Sequence, residues 1–218
     1  MESFELFVKE EHPPPRPSSF RALLRGTLFF IIIFVLFIHF PIDLGTQYLL
    51  PGLRYLTGEP GSREKSIREI VNVLEKYQTG LASVTKEELA EVIYEEATRH
   101  NQDPKFIVAF IAIESSFKNW SVSERGAKGL MQIMPYVAQS LAQEMGIEWG
   151  GDRTLFNPFL NTRMGIYYLS QLLLDFEDLG IALTAYNYGP TYVKSLIEKK
   201  QKIPVHFYKR ILTVYQDL

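Results

Sequence analysis

Apolar residues are distributed along the chain in two different patterns. Between Gly26 and Ile42 no residue is charged, and most of the side chains are apolar. In residues 62–218 the apolar residues recur at spacings of three and four, which places them on one face of a helix. No stretch of that part alternates convincingly as a strand would. We therefore predict an apolar N-terminal segment followed by an all-α domain of seven or eight helices.

Capping and breaking residues indicate where the helices begin and end. Ser66 with Glu69, and Thr85 with Glu88, have the spacing of a capping box. Asp103 precedes a proline at a first helical position and should cap the helix that follows. Helix ends are predicted at Gly80 and at His100–Asn101. Further helices are predicted from Tyr136 to Met145, from Asn157 to Phe176, and from Gly180 to Leu196 with an interruption at Gly189–Pro190. A last helix is predicted to follow Ile203–Pro204.

The apolar segment 26–42 has three interpretations. A cleaved signal peptide would have a short basic start and a small-residue cleavage site, and residues 38–43 offer no such site. A helix in the protein core would have a polar face, which this segment lacks. Its seventeen residues span about 25 Å as a helix, slightly less than a hydrocarbon core of roughly 30 Å. We predict a retained transmembrane anchor.

Basic residues near this segment predict its orientation. Arg16, Arg21 and Arg25 precede it, whereas only Arg54 follows within a comparable distance. Because basic residues are in excess on the cytoplasmic side, the N-terminus is expected in the cytoplasm and the rest of the chain outside the membrane. Residues 43–61 are rich in glycine and proline and are expected to form a linker.

Composition narrows the chemistry that the chain can perform. The net charge of −2 gives no electrostatic case for nucleic acid as a partner. The chain has no cysteine, and its four histidines are scattered without the spacing of metal ligands. We therefore expect no metal site and no cofactor.

Glu114 stands at the end of the apolar run 106–113, which carries no charge. A helix built from that run must be largely buried, and desolvation would raise the pKa of a carboxyl group at its end toward the range of a general acid. The alternative is a solvated glutamate at a helix end. Two later patches, residues 123–132 and 185–190, favour the acid.

Together with residues 114–117, these patches resemble the catalytic domain of the lytic transglycosylases of the soluble-lytic-transglycosylase (SLT) type. The matching residues are Glu114, Ser115, Phe117, Ser123, Gly126, Ala127, Gly129, Leu130, Met131, Gln132, Ala185, Tyr186, Asn187, Gly189 and Pro190. Matches outside the patches are Asn157, Pro158, Asn161, Gly165, Tyr168, Leu169, Ile203, Pro204 and Tyr208. The resemblance covers residues 85–218 and implies a lysozyme-like helical domain of the goose-type kind, here preceded by one transmembrane helix.

The resemblance implies a peptidoglycan lytic transglycosylase with Glu114 as its single catalytic residue. Glu114 would protonate the oxygen between N-acetylmuramic acid and N-acetylglucosamine. It would then act as a base toward the substrate's own 6-hydroxyl, which closes a 1,6-anhydro ring. Because that hydroxyl is intramolecular, no second carboxylate is needed to position water.

The resemblance also implies which residues bind the substrate: Ser123, Gln132, Met131, Met134, Tyr186, Asn187 and Tyr188. Hydrogen bonds from Gln132, Tyr186 and Ser123 would orient the carboxyl group or the sugar. Met131 or Met134, with the two tyrosines, would form apolar walls. The chain departs from the family pattern at Lys118–Trp120, Tyr136 and Tyr188, and these positions bear on substrate preference.

The predicted organisation is a cytoplasmic segment (1–25), an anchor (26–42), a linker with a membrane-proximal helix (43–84) and a catalytic domain (85–218). It predicts a single-pass protein of the bacterial inner membrane with its catalytic domain in the periplasm. The expected partners are peptidoglycan glycan strands and an envelope protein complex. Two other functions stay open, a lysozyme-type hydrolase of the same bond and a non-catalytic murein-binding scaffold.

Overall fold

The computed structural model describes residues 61–218. Its helices are α1 (Ser62–Glu75), α2 (Ser83–Arg99), α3 (Pro104–Ser115), α4 (Pro135–Glu144), α5 (Asp152–Leu155), α6 (Pro158–Phe176), α7 (Leu179–Tyr188), α8 (Pro190–Glu198) and α9 (His206–Asp217). In this range the expectation of an all-α domain is confirmed, with nine helices where seven or eight were predicted.

Helix α3 is the central helix of the domain. Its apolar residues are not confined to one face, so the helix must be covered by other helices on several sides. The residues from Phe106 to Ala112 are all buried, and the helix packs against α1, α2 and α9. Asp103 caps it as predicted, since its side chain accepts a hydrogen bond from the backbone N–H of Lys105 at 2.9 Å. The C-terminal end of this buried helix carries Glu114.

Helix α6 supports the other part of the domain. Its predicted cap, Asn157, accepts hydrogen bonds from the backbone N–H groups of Phe159 and Leu160 at 3.1 and 3.0 Å. The helix packs against α2, α4, α5 and α7, and α7 in turn packs against α8 and α9. The first sequence patch thus begins at the end of α3, and the third lies at the end of α7, which packs on α6.

Two predicted helix starts are wrong. Helix α1 begins at Ser62, after Gly61 with a φ of 98°, so Ser66 lies inside the helix. Helix α2 begins at Ser83, so Thr85 also lies inside. No glycine or proline separates the observed from the predicted start in either case, and each helix extends further toward its N-terminus because adding a residue to a formed helix is favourable. Helix α1 also ends at Glu75, before Gly80.

The transmembrane anchor predicted at residues 26–42 lies outside the described residues. Within residues 61–218, no helix is both long enough and apolar enough to cross a membrane.

Candidate active site

Glu114 is the last residue but one of α3, and the chain turns sharply directly after the helix. Ser116 and Phe117 both have left-handed backbone conformations, with φ values of 50° and 58°. The Phe117 side chain is completely buried and packs on Tyr77, with ring centroids 4.9 Å apart. A buried aromatic side chain therefore fixes the turn that follows the acid.

The carboxyl group of Glu114 is half-buried, and no residue of the described range gives it a hydrogen bond or an ion pair. Burial raises its pKa to about 8, while the positive charge of Arg210 in α9 acts in the opposite direction. Burial also raises the pKa of the Tyr186 hydroxyl well above its ordinary value, and the charge of Glu114 contributes to that rise. With a pKa of about 8, Glu114 carries its proton at neutral pH and can donate it.

Ser123 and Gln132 make their hydrogen bonds within the loop of residues 121–132. The Ser123 hydroxyl oxygen accepts from the backbone N–H of Ala127 at 3.0 Å. The Gln132 side-chain amide donates to the carbonyl oxygens of Gly129 at 2.8 Å and Ser121 at 3.2 Å. These two side chains therefore shape the loop, and the structure gives neither a hydrogen bond to Glu114.

The backbone of Met131 is held from both sides. Its N–H donates to Oδ1 of Asn161 at 2.8 Å, and its carbonyl oxygen accepts from the hydroxyl of Tyr186 at 2.8 Å. Asn161 is completely buried and also donates to the carbonyl oxygens of Lys128 and Leu155, both at 3.0 Å. The loop is therefore fixed by one residue of α6 and one of α7.

Two glycines allow the loop to approach α6. A Cβ atom at Gly129 would lie 2.3 Å from the Asn161 side chain, and the glycine has a φ of 81°. A Cβ atom at Gly165 would lie 2.4 Å from the sulfur of Met131. In the sequence, Asn161 and Gly165 were only two of the positions that match the family pattern, and their part in holding the loop was not predicted.

The proposed wall residues differ in how accessible they are. The Met131 side chain is completely buried, so the expectation that it forms part of a sugar-contacting wall needs correction. Sequence alone does not reveal this, because a methionine fills a gap in the core as readily as it lines a groove. Met134 and Tyr186 are partly buried, whereas Asn187 and Tyr188 are exposed.

Arg210 is a further residue of the site that no motif indicated. It is exposed and acts on Glu114 through its charge, from a helix that begins at His206, far along the chain. Within residues 61–218, no group of three or more histidine, aspartate or glutamate side chains is arranged to hold a metal ion.

Comparison with known proteins shows related sequences. The membrane-bound lytic murein transglycosylase C of Actinobacillus pleuropneumoniae is 30% identical over 107 residues, which are 48% of this chain and 29% of that protein. The endo-type membrane-bound lytic murein transglycosylase A of Klebsiella pneumoniae is 43% identical over 74 residues, which are 32% of this chain and 36% of that protein. The chain thus spans about a third of the length of these relatives.

A solved structure and a family model also match. The 70 kDa soluble lytic transglycosylase of Escherichia coli is 21% identical with a TM-score of 0.49, over 74% of this chain and 29% of that chain. The family model described as Transglycosylase SLT domain matches residues 91–205, which are more than half of the chain. This chain therefore belongs to the transglycosylase SLT domain family.

Proposed function

We propose that this chain is a peptidoglycan lytic transglycosylase that cleaves the β-1,4 bond between N-acetylmuramic acid and N-acetylglucosamine. Family membership supports the class of reaction, because the related proteins are named lytic murein transglycosylases. The observation that carries the assignment of the acid is the pKa of Glu114, which burial raises to about 8. A carboxyl group that is protonated at neutral pH can act as a general acid.

The charges around Glu114 favour a mechanism with one carboxyl group. In a hydrolase, a second catalytic carboxylate would lie roughly 5 to 10 Å away, and its charge would raise the pKa of Glu114 further. Among the described residues, the charge that acts on this pKa is that of Arg210, and no aspartate or glutamate contributes. This supports a transglycosylase over a lysozyme-type hydrolase of the same bond.

In the proposed reaction, protonated Glu114 donates its proton to the glycosidic oxygen. At the same time the bond between that oxygen and the anomeric carbon of the muramic acid breaks. N-acetylglucosamine leaves with this oxygen as its 4-hydroxyl group. The Glu114 carboxylate then accepts the proton of the muramic acid's 6-hydroxyl group, whose oxygen bonds to the anomeric carbon and closes the 1,6-anhydro ring. The second proton transfer restores the acid.

The substrate-binding residues would act in two groups. Asn187 and Tyr188 are exposed, and Met134 is partly exposed, so these side chains are available to contact sugar rings. Ser123 and Gln132 would act by shaping the loop of residues 121–132, against which the glycan strand lies, because their side chains form hydrogen bonds with the backbone of that loop. The site is thus proposed to combine an accessible surface with a rigid support.

We further propose that residues 26–42 anchor the protein in the bacterial inner membrane, with the N-terminus in the cytoplasm and the catalytic domain (85–218) in the periplasm. The uncharged segment supports this location, as do relatives that are named membrane-bound. Glycan strands of peptidoglycan would be the substrate there, and an envelope protein complex would be the partner.

Glu114→Gln tests the assignment of the acid. The amide keeps the shape of the side chain but has no acidic proton, so release of soluble fragments from purified sacculi should fall roughly a hundredfold to ten-thousandfold. Circular dichroism would show that the variant remains folded. The matched control is Glu124→Gln, which changes an exposed glutamate nearby and should keep full activity. Equal activities of the two variants would refute Glu114 as the acid.

A further inference from the structure

Trp120 is highly exposed although the turn that carries it is fixed. Its side chain is 68% exposed. On either side, the backbone N–H of Lys118 donates to the Ser115 carbonyl at 3.0 Å, and that of Ser121 donates to the Lys118 carbonyl at 3.1 Å. A large flat ring that stands on a fixed turn and is open to solvent is a surface ready to receive a ligand.

Phe156 lies beside Trp120 and enlarges this surface. The two ring centroids are 5.1 Å apart, with the ring planes inclined at 41°. Asn119 is buried, and its side-chain amide donates to the Phe156 carbonyl oxygen at 2.9 Å, which joins the two loops. We refer to the two rings as the Trp120–Phe156 platform.

Lys128 and Asp152 form a charged rim beside this platform. The ammonium group of Lys128 lies 5.9 Å from the centroid of the Phe156 ring and pairs with Oδ1 of Asp152 at 2.6 Å. The Asp152 side chain is 62% exposed, so a ligand can reach its carboxylate. The rim therefore offers both a donor and an acceptor next to an apolar face.

The platform is continuous with the loop of the candidate active site. Ser121 follows Trp120, and its carbonyl oxygen accepts from the Gly129 N–H at 3.0 Å and the Gln132 amide at 3.2 Å. Lys128 directly precedes Gly129. The platform therefore adjoins the loop, and a polymer that lies along the loop on the side of Trp120 can extend onto the platform.

We propose that the Trp120–Phe156 platform binds a sugar ring of the same glycan strand at a position away from the bond that is cleaved. A pyranose has an apolar C–H face and a rim of hydroxyl groups, and these match the aromatic rings and the Lys128–Asp152 pair. The proposal rests on the proposed function, which supplies the glycan strand. Trp120 stands at a position that the family pattern leaves open, so a large aromatic ring there is a feature of this chain.

Tryptophan fluorescence of the full chain can test this proposal. The chain has two tryptophans, so Trp149→Phe leaves Trp120 as the only indole, and Glu114→Gln prevents cleavage. Titration with peptide-free glycan strands should move the emission of Trp120 to shorter wavelength and should saturate. Calorimetry on chains that keep Trp149 provides a second measurement, and there Trp120→Ala should weaken strand binding roughly threefold to tenfold. The control is Leu174→Ala, which removes another highly exposed apolar side chain.

Several results would overturn the platform. One is equal strand affinity of the Trp120→Ala and Leu174→Ala chains, and another is an emission that stays unchanged at saturating strand. An emission change that follows protein concentration would assign the platform to contact between copies of the chain. The proposed function fails separately: if the wild-type chain releases nothing from sacculi while strands still shift the emission of Trp120, the platform stands and the cleavage reaction does not.

Discussion

The hydroxyl group of Tyr186 donates a hydrogen bond of 2.8 Å to the backbone carbonyl oxygen of Met131. This bond joins α7 to the loop of residues 121–132, and it uses the only hydrogen that the hydroxyl has. Tyr186 is also close enough to Glu114 for the charge of the carboxylate to raise the tyrosine pKa. The phenol therefore has no hydrogen left to donate to Glu114, and the structure gives no hydrogen bond between the two side chains.

Tyr186→Phe should weaken both the fold and the reaction. The variant keeps the ring but leaves the Met131 carbonyl without its partner, which should cost about 1–3 kcal/mol of unfolding free energy. We expect kcat to fall as the loop loses its tie to α7. Urea unfolding and initial rates on sacculi measure the two effects.

Tyr192→Phe is the matched control for that variant. Tyr192 is 47% exposed, and its hydroxyl makes no hydrogen bond to the described part of the chain. Its removal should leave the free energy of unfolding unchanged within about 0.5 kcal/mol. If the two variants are equally stable, the Tyr186–Met131 bond does not support the loop.

Glu114 should make the wild-type chain less stable as pH rises. Its pKa of about 8 in the folded state lies above the ordinary value of 4.5, so the native state keeps a proton that the unfolded chain loses. The stability from this group is complete below pH 4.5 and is lost as pH rises through 8.

Glu114→Gln should remove this pH dependence. One pKa unit corresponds to about 1.4 kcal/mol, so the variant should gain up to about 5 kcal/mol relative to wild type between about pH 4 and about pH 9. Urea unfolding of both chains at the two pH values measures the gain. Parallel stability curves would mean that the pKa of Glu114 is not raised.

Arg210→Ala should move the alkaline limb of the pH–rate profile to higher pH. The guanidinium charge lowers the pKa of Glu114, so its loss should let that pKa rise and keep the acid protonated further into the alkaline range. Lys209→Ala removes the neighbouring exposed charge, which does not contribute to this pKa, and should leave the profile in place. An unmoved profile for Arg210→Ala, or equal shifts in both variants, would contradict this role.

The helices that carry the site could be predicted where their signals are local. Asp103–Pro104 and Asn157–Pro158 each combine a capping side chain with a proline at the first helical position, and both helices start there. The capping boxes at Ser66 and Thr85 failed because their spacing occurs equally well inside a helix that begins earlier. A cap is thus informative when a proline also fixes the start.

The support of the site could not be predicted because it depends on contacts between distant parts of the chain. The family pattern contains Asn161 and Gly165, but a pattern does not say that one bonds to Met131 and the other makes room for its sulfur. The same methionine therefore looked like a sugar contact although its side chain is buried. Arg210 had no motif, and only the packing of α9 on α3 brings its charge near Glu114.

The products that the wild-type chain releases from sacculi test the central claim most directly. If Glu114 works without a second carboxylate and the 6-hydroxyl is the nucleophile, mass spectrometry should find 1,6-anhydro-N-acetylmuramic acid ends, each lighter by one water than a reducing end. Reducing ends in their place would show that water attacks the anomeric carbon, which would contradict the single-carboxyl mechanism.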